Sequence, residues 1–305
     1  MLSTAHQNAI SNFQASTSLC DFFQLLAVET WERIKFSRTR KGMRIYETTL
    51  TQNILFELIR AKEQVNSWGR VRWNIHIFES NNEKTNGNDI ELFVQFGGGY
   101  LYFPTQAKII YNKSLNRVKL GGGNYPPMDH FVPTMATQQI NSLLSYASAR
   151  RGIPIYLLYN FVNDTFPVAT RCGIRYGIEQ FGCSIVDAQH LFSKYVSGGS
   201  WTIPTFHNLQ PRKAFPWFVL VCCFNQYRDI NLLMAEFFPD SHSSLKESLK
   251  IYSETDVFQD RGWRDIDFYN KDVTTEFSRG FEDNNFTFNP RFRIVLGSDT
   301  PVFRK

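Results

Sequence analysis

Asp89, Glu91, Gln106 and Lys108 are the side chains of this sequence whose types and spacing best fit joint work on a phosphate group. Asp89 and Glu91 alternate within DIELFVQF, so a strand there turns both carboxylates to one face. Gln106 and Lys108 alternate within YLYFPTQAKII, and Gly97-Gly98-Gly99 supplies a turn between the two segments. Folding about the triplet predicts Asp89 near Lys108 and Glu91 near Gln106, on one sheet face if the turn holds an even number of residues. A hard cation such as Mg²⁺ takes oxygen ligands from a few such groups and keeps several waters. It lowers the pKa of a bound water and offsets phosphate charge, while a neighbouring lysine orients the attacking water or stabilises the charged phosphorane. On residue types alone, an exposed hairpin face carrying a cross-strand ion pair explains the same pattern.

The elements that would position these residues can be read from periodicity. Apolar residues at near-helical spacing predict helices over 7–35, 47–64 and 135–150, the last stopping at Gly152. Alternation predicts strands over 71–78, 89–96 and 100–110, and the apolar run 153–161 predicts a buried strand. Further on, 186–195, 231–238 and 243–251 read as helices, 215–224 as a buried strand and 286–296 as a final strand. The class is α/β with a mixed central sheet.

Asp89 followed by Gln106-Ala107-Lys108, in the order helix, three strands, helix, strand, resembles the PD-(D/E)XK, or restriction-endonuclease-like, nuclease superfamily. Its core is α-β-β-β-α-β, and the Gln form is similar to the Mrr-like QxK branch. The resemblance covers about residues 45–161, and Asn88 stands where the superfamily usually has Pro. Pro154-Ile155-Tyr156, Gly182-Cys183 and Pro216-Trp217 also resemble an uncharacterised bacterial domain family within that superfamily. The resemblance implies an N-terminal helical extension and basic connector over 1–44, a nuclease-like core over 45–165 and a C-terminal α+β elaboration packed on it over 166–305. It implies catalytic roles for Asp89, Gln106, Lys108, Glu91 and Glu47, the last at the head of the first core helix. Asp89, Gln106, Glu91 and Glu47 would hold Mg²⁺, with Mn²⁺ as a substitute. The activity implied is hydrolysis of phosphodiester bonds in DNA, in prokaryotic anti-phage defence. A second copy of the chain or a defence-system protein is the implied protein partner. A catalytically silent binding module and a ribonuclease on the same fold stay open as alternatives. Glu47 on its own is equally a carboxylate favoured at a helix N-terminus.

The remaining composition bounds the answer. The chain has 305 residues, a net charge of +5, 43% hydrophobic residues and 28 Phe. Such a chain buries a large core and is not a disordered one. The basic stretch Arg38, Arg40, Lys41 and Arg44, with Lys113, Arg117 and Lys119, could position phosphates, and a solvated connector is the plainer reading. No apolar run reaches the ~20 residues that span a bilayer. The first residues lack the basic and apolar regions of a signal peptide. The five cysteines are odd in number and irregular in spacing, which predicts reduced thiols and a cytoplasmic protein. Cys222 and Cys223 are expected as packing residues within a strand.

Overall fold

The computed structural model describes residues 18–40, 43–67, 71–80, 89–111, 123–132, 137–165, 168–197, 200–245, 248–259, 263–265, 290–297 and 300–301. Helix α1 (Leu19–Thr39) starts at Ser18, whose hydroxyl accepts the Asp21 amide at 3.1 Å, an N-cap that satisfies one orphan donor. Leu19, Phe22, Phe23, Leu26, Trp31 and Ile34 form its buried stripe. Helix α2 (Glu47–Ser67) buries Leu50, Ile54, Leu58, Ala61 and Val65 at the same spacing.

Strands β1 (Ile75–Ser80), β2 (Asp89–Phe96) and β3 (Gly99–Ile109) follow. Helix α3 (Gln139–Ala149) crosses to β4 (Ile155–Tyr159), and β5 (Cys183–Asp187) leads into α4 (Ala188–Tyr195). Then come β6 (Ala214–Pro216), α5 (Val219–Cys222), α6 (Ile230–Phe237) and α7 (Pro239–Leu245). Strands β7 (Ile251–Tyr252), β8 (Trp263–Asp265) and β9 (Pro290–Leu296) complete the main sheet. Nine strands form one mixed sheet in the order β6-β5-β4-β3-β2-β9-β1-β8, with β7 paired to β3. The pairs β3–β4 and β2–β9 are parallel, and the other pairs are antiparallel.

The chain is therefore an α/β protein, and the order α-β-β-β-α-β runs from α2 to β4 as the periodicity predicts. The spatial order differs, because β9 lies between β1 and β2. Segment 290–296 is an interior strand, and α1 packs into the core. A Cβ on Gly182 would strike the Ala27 carbonyl oxygen of α1, so only glycine lets that helix lie so close. Trp217 Nε1 donates to the Phe23 carbonyl at 2.7 Å, tying α1 to the segment after β6.

Two further expectations change. Residues 215–224 are not one strand, because β6 ends at Pro216 and α5 begins at Val219. A short, wholly apolar run carries no period, so it suits a buried helix turn as well as a strand. Four cysteines are bridged, Cys20 to Cys222 and Cys172 to Cys223, and Cys183 alone is free and buried. The reduced-thiol expectation thus fails for these four. The partners lie 202 and 51 residues apart, a pairing that spacing alone does not reveal. Residues 1–17, where the first helix was expected to begin, lie outside the described residues.

Candidate functional site

The β2–β3 hairpin sets the geometry. Asp89 pairs with Gln106, Glu91 with Pro104 and Phe96 with Gly99. The turn is only Gly97-Gly98, since Gly99 already belongs to β3. Gly97 takes φ +57°, which a two-residue hairpin turn demands and glycine supplies at little cost. The pairing is therefore shifted by two residues from the expected Asp89–Lys108 and Glu91–Gln106. An even shift keeps the facing, so Glu91, Gln106 and Lys108 lie on one side of the sheet, with the Asp89 backbone in register with Gln106. The backbone of Asp89 is placed; its side chain lies outside the described part of the structure.

Gln106 sits between Asp89 on β2 and Tyr156 on β4 and is 1% exposed. Its Oε1 is buried and has no hydrogen-bond partner among the described residues. A buried carbonyl oxygen left unpaired costs about 1–3 kcal/mol, so it marks a place where the fold alone does not complete the bonding. Two residues along the strand, Lys108 is 5% exposed, and its Nζ donates to Gln139 Oε1 at 2.9 Å. Gln139 is the first residue of α3, which lies over this face. An amide partner leaves the ammonium uncompensated by charge at that contact.

Glu91 has a different fate. It is 1% exposed, and both its oxygens are taken. Oε1 accepts the hydroxyls of Tyr102 and Tyr146, each at 2.8 Å. Oε2 accepts Arg293 Nε at 2.8 Å and Nη2 at 2.6 Å, a two-pronged charged pair from the inserted strand β9. Burial raises the pKa of both tyrosines, and the Glu91 charge raises them further, so both remain neutral donors. This carboxylate is saturated by the fold, and the expectation that it is catalytic or holds a metal is corrected on that ground. Among the described residues no group of three His, Cys, Asp or Glu is placed to hold a metal ion.

Other expected residues gather at the same end of the sheet, around the carboxyl ends of β3 and β4. The Ile110 amide donates to the Tyr159 carbonyl at 2.9 Å, joining the two strand ends. On the opposite face from Gln106, Tyr159 Oη bonds Thr51 Oγ1 of α2 at 2.8 Å. Burial raises the Tyr159 pKa far above the ordinary phenol value, and the neighbouring charge of Glu47 contributes to the rise. Glu47 thus stands at this end but enters from the α1–α2 side of the sheet. Arg38 Nη2 donates to the Ile110 carbonyl at 3.2 Å, and desolvation lowers its pKa. Arg40 and Arg44 are exposed. Lys41, Lys113, Arg117 and Lys119 lie outside the described residues.

Sequence reasoning missed Tyr102, Tyr146, Gln139 and Arg293. Arg293 carried a signal: an arginine within the otherwise apolar run FRIVL implies a buried counter-charge. The glutamine and tyrosines carried none.

The fold and this site define an α/β protein with a mixed sheet and a polar cluster at the carboxyl ends of two parallel strands. The chain belongs to a family of unknown function, DUF6615, whose family model matches residues 19–291. No curated protein and no solved structure matches it. No helix among the described residues is long and apolar enough to cross a membrane.

Proposed function

We propose that this protein is a metal-dependent nuclease that hydrolyses phosphodiester bonds in nucleic acid, with DNA as the substrate and anti-phage defence as its setting. The observation that carries the reading is the buried Oε1 of Gln106, without a hydrogen-bond partner among the described residues, with its backbone directly across the hairpin from Asp89 and two residues from Lys108. Ligands at the carboxyl ends of parallel strands are the rule in α/β sheets.

The donor chemistry fits a hard divalent cation: Asp89, Gln106 and Glu47 are the oxygen groups that would hold Mg²⁺ or Mn²⁺, and Glu91 is no longer among them. When bound, such an ion supplies Lewis acidity and an activated water. The chain's own contribution is positional. Gln139 fixes Lys108 Nζ, which then points a donor and a charge at the phosphate or at the attacking water. The packing of α3 over this face keeps bulk water from the ammonium. A neutral amide draws a cation less strongly than a carboxylate, so the charge of Asp89 matters more here than in a site with Glu at position 106.

A silent scaffold is the second reading, and the saturated state of Glu91 favours it. The cytoplasm is the proposed compartment, with a condition. Disulfides persist only where thiols are not kept reduced, so the bridged and open forms of the four cysteines belong to different surroundings.

The test is incubation of the purified protein with plasmid, linear DNA and RNA in Mg²⁺, Mn²⁺ or EDTA. Cleavage in metal, none in EDTA, and a loss of at least about 100-fold in Lys108→Ala are expected. Equal cleavage in EDTA, or no cleavage under any condition, would reject the reading in favour of another chemistry or the scaffold.

A further inference from the structure

Among the described residues most aromatic rings are packed in the core; Phe36, Tyr46, Phe56 and Tyr111 are exposed, and of these Phe56 stands apart within α2. Phe36 is 46% exposed, Tyr46 61% and Tyr111 46%, and Met43 beside them is 51% exposed. Three of these lie within eleven residues at the end of α1 and the entry to α2, and Tyr111 follows β3. The fold brings the two stretches together. Arg38 reaches from α1 to the Ile110 carbonyl, and its charge acts on Tyr111. Tyr46 immediately precedes Glu47, whose carbonyl accepts the Thr51 hydroxyl that is also bonded to Tyr159 Oη, and the Tyr159 carbonyl accepts the Ile110 amide. Phe36, Tyr46 and Tyr111 therefore border the end of the sheet that carries Gln106 and Lys108.

Arginines are interleaved with them. Arg38, Arg40 and Arg44 alternate with Phe36, Met43 and Tyr46, and no acidic residue occurs between Lys35 and Tyr46. The Arg40 guanidinium lies over the Phe36 ring, 5.2 Å from its centroid. A cluster of exposed apolar rings rimmed by like charge is a binding surface rather than a bare solvent face. The charge selects a polyanion, and the rings select one that offers flat π-faces. A duplex hides its base faces in its own stack and shows phosphates, for which the arginines alone would suffice. Unpaired nucleotides show both, and base–aromatic stacking works with any sequence.

We propose that nucleic acid reaches this site as an unpaired strand, with bases stacked on Phe36, Tyr46 and Tyr111 and its phosphates along Arg40 and Arg44. This rests on the nuclease reading for the identity of the site but not for its test. The aromatic surface is then what distinguishes strand from duplex, and the arginines supply affinity common to both.

The experiment is fluorescence anisotropy with the full chain and short labelled oligonucleotides in EDTA, where cleavage plays no part. The probes are single-stranded DNA, single-stranded RNA and a DNA duplex. Either strand should bind at least about tenfold more tightly than the duplex. Tyr46→Ala and Tyr111→Ala should each lower strand affinity about fivefold or more and leave duplex affinity alone, while Tyr46→Phe and Tyr111→Phe keep wild-type binding. Arg40→Gln should weaken both and flatten the salt slope of strand binding by about 0.7. Duplex bound as tightly as strand, no binding of either, or alanine variants equal to wild type would overturn the proposal. If the strand binds as described and no metal produces cleavage, the nuclease reading falls and this surface stands.

Discussion

Two polar clusters lie on one face of the same hairpin, and they have opposite bookkeeping. At Glu91 the fold supplies four donors, from Tyr102, Tyr146 and Arg293, and the carboxylate is closed off. Around Gln106, one residue pair toward the sheet end, the described residues offer the carbonyl oxygen nothing to accept, and the Lys108 ammonium donates to an amide. Burial does not separate them, since both residues are 1% exposed. Completeness does. A saturated buried polar group has its bonding met by the fold, and an unsaturated one is a cost the fold bears without return.

That contrast can be broken or sharpened by substitution. Arg293→Leu strands a buried carboxylate and should cost about 3–5 kcal/mol in urea unfolding. Combining it with Glu91→Gln should restore about half of that, because the pair rather than either charge is what the interior tolerates. If Arg293→Leu costs under about 1 kcal/mol, Glu91 is less enclosed than described and returns as a candidate ligand. Tyr146→Phe removes one of two hydroxyls from Oε1 and should cost about 1–3 kcal/mol.

The same residue has a pH signature. The Tyr146 pKa is raised on folding, so its contribution is whole below the ordinary phenol value of 10.0 and is lost as pH rises beyond it. Wild type should therefore lose more stability than Tyr146→Phe as pH is raised above about 10, measured by unfolding at stepped pH. No loss of stability is expected at the other cluster. Gln106→Leu removes an orphan and should leave stability unchanged or raise it, by at most about 1–3 kcal/mol. On the nuclease reading it abolishes cleavage, and Gln106→Glu retains it. A large loss of stability in Gln106→Leu would show that the amide has a structural partner and would erase the contrast.

Strands 89–96 and 290–296, the helix from Glu47 and the hairpin facing were legible because each is a local period or turn. The facing survived an error in register, since the turn holds two residues, an even number, and the pairing moved by two. What was not legible is long-range. Nothing local tells β9 to enter between β1 and β2, and without that insertion Arg293 cannot be matched to Glu91. The cysteine pairing failed for the same reason. The end of 215–224 failed for another: eight apolar residues in a row bury equally well as a strand or as a turn of helix. Glu47 was legible as a helix head, but its entry from the opposite face depends on which side of the sheet α2 covers.

The placement of β9 has a consequence for how the protein is made. A ribosome releases the chain from its amino end, and domains form as their residues emerge. Here β1 and β2 emerge early and then wait, with no hydrogen-bonding neighbour between them, through some two hundred residues of further synthesis. During that interval Glu91 is a carboxylate in an unfinished interior. The gap closes only when Pro290–Leu296 leaves the ribosome and slides in beside both strands, bringing Arg293 with it. A message cut short before that point yields a product with every residue of the Gln106–Lys108 cluster and no completed sheet to hold it.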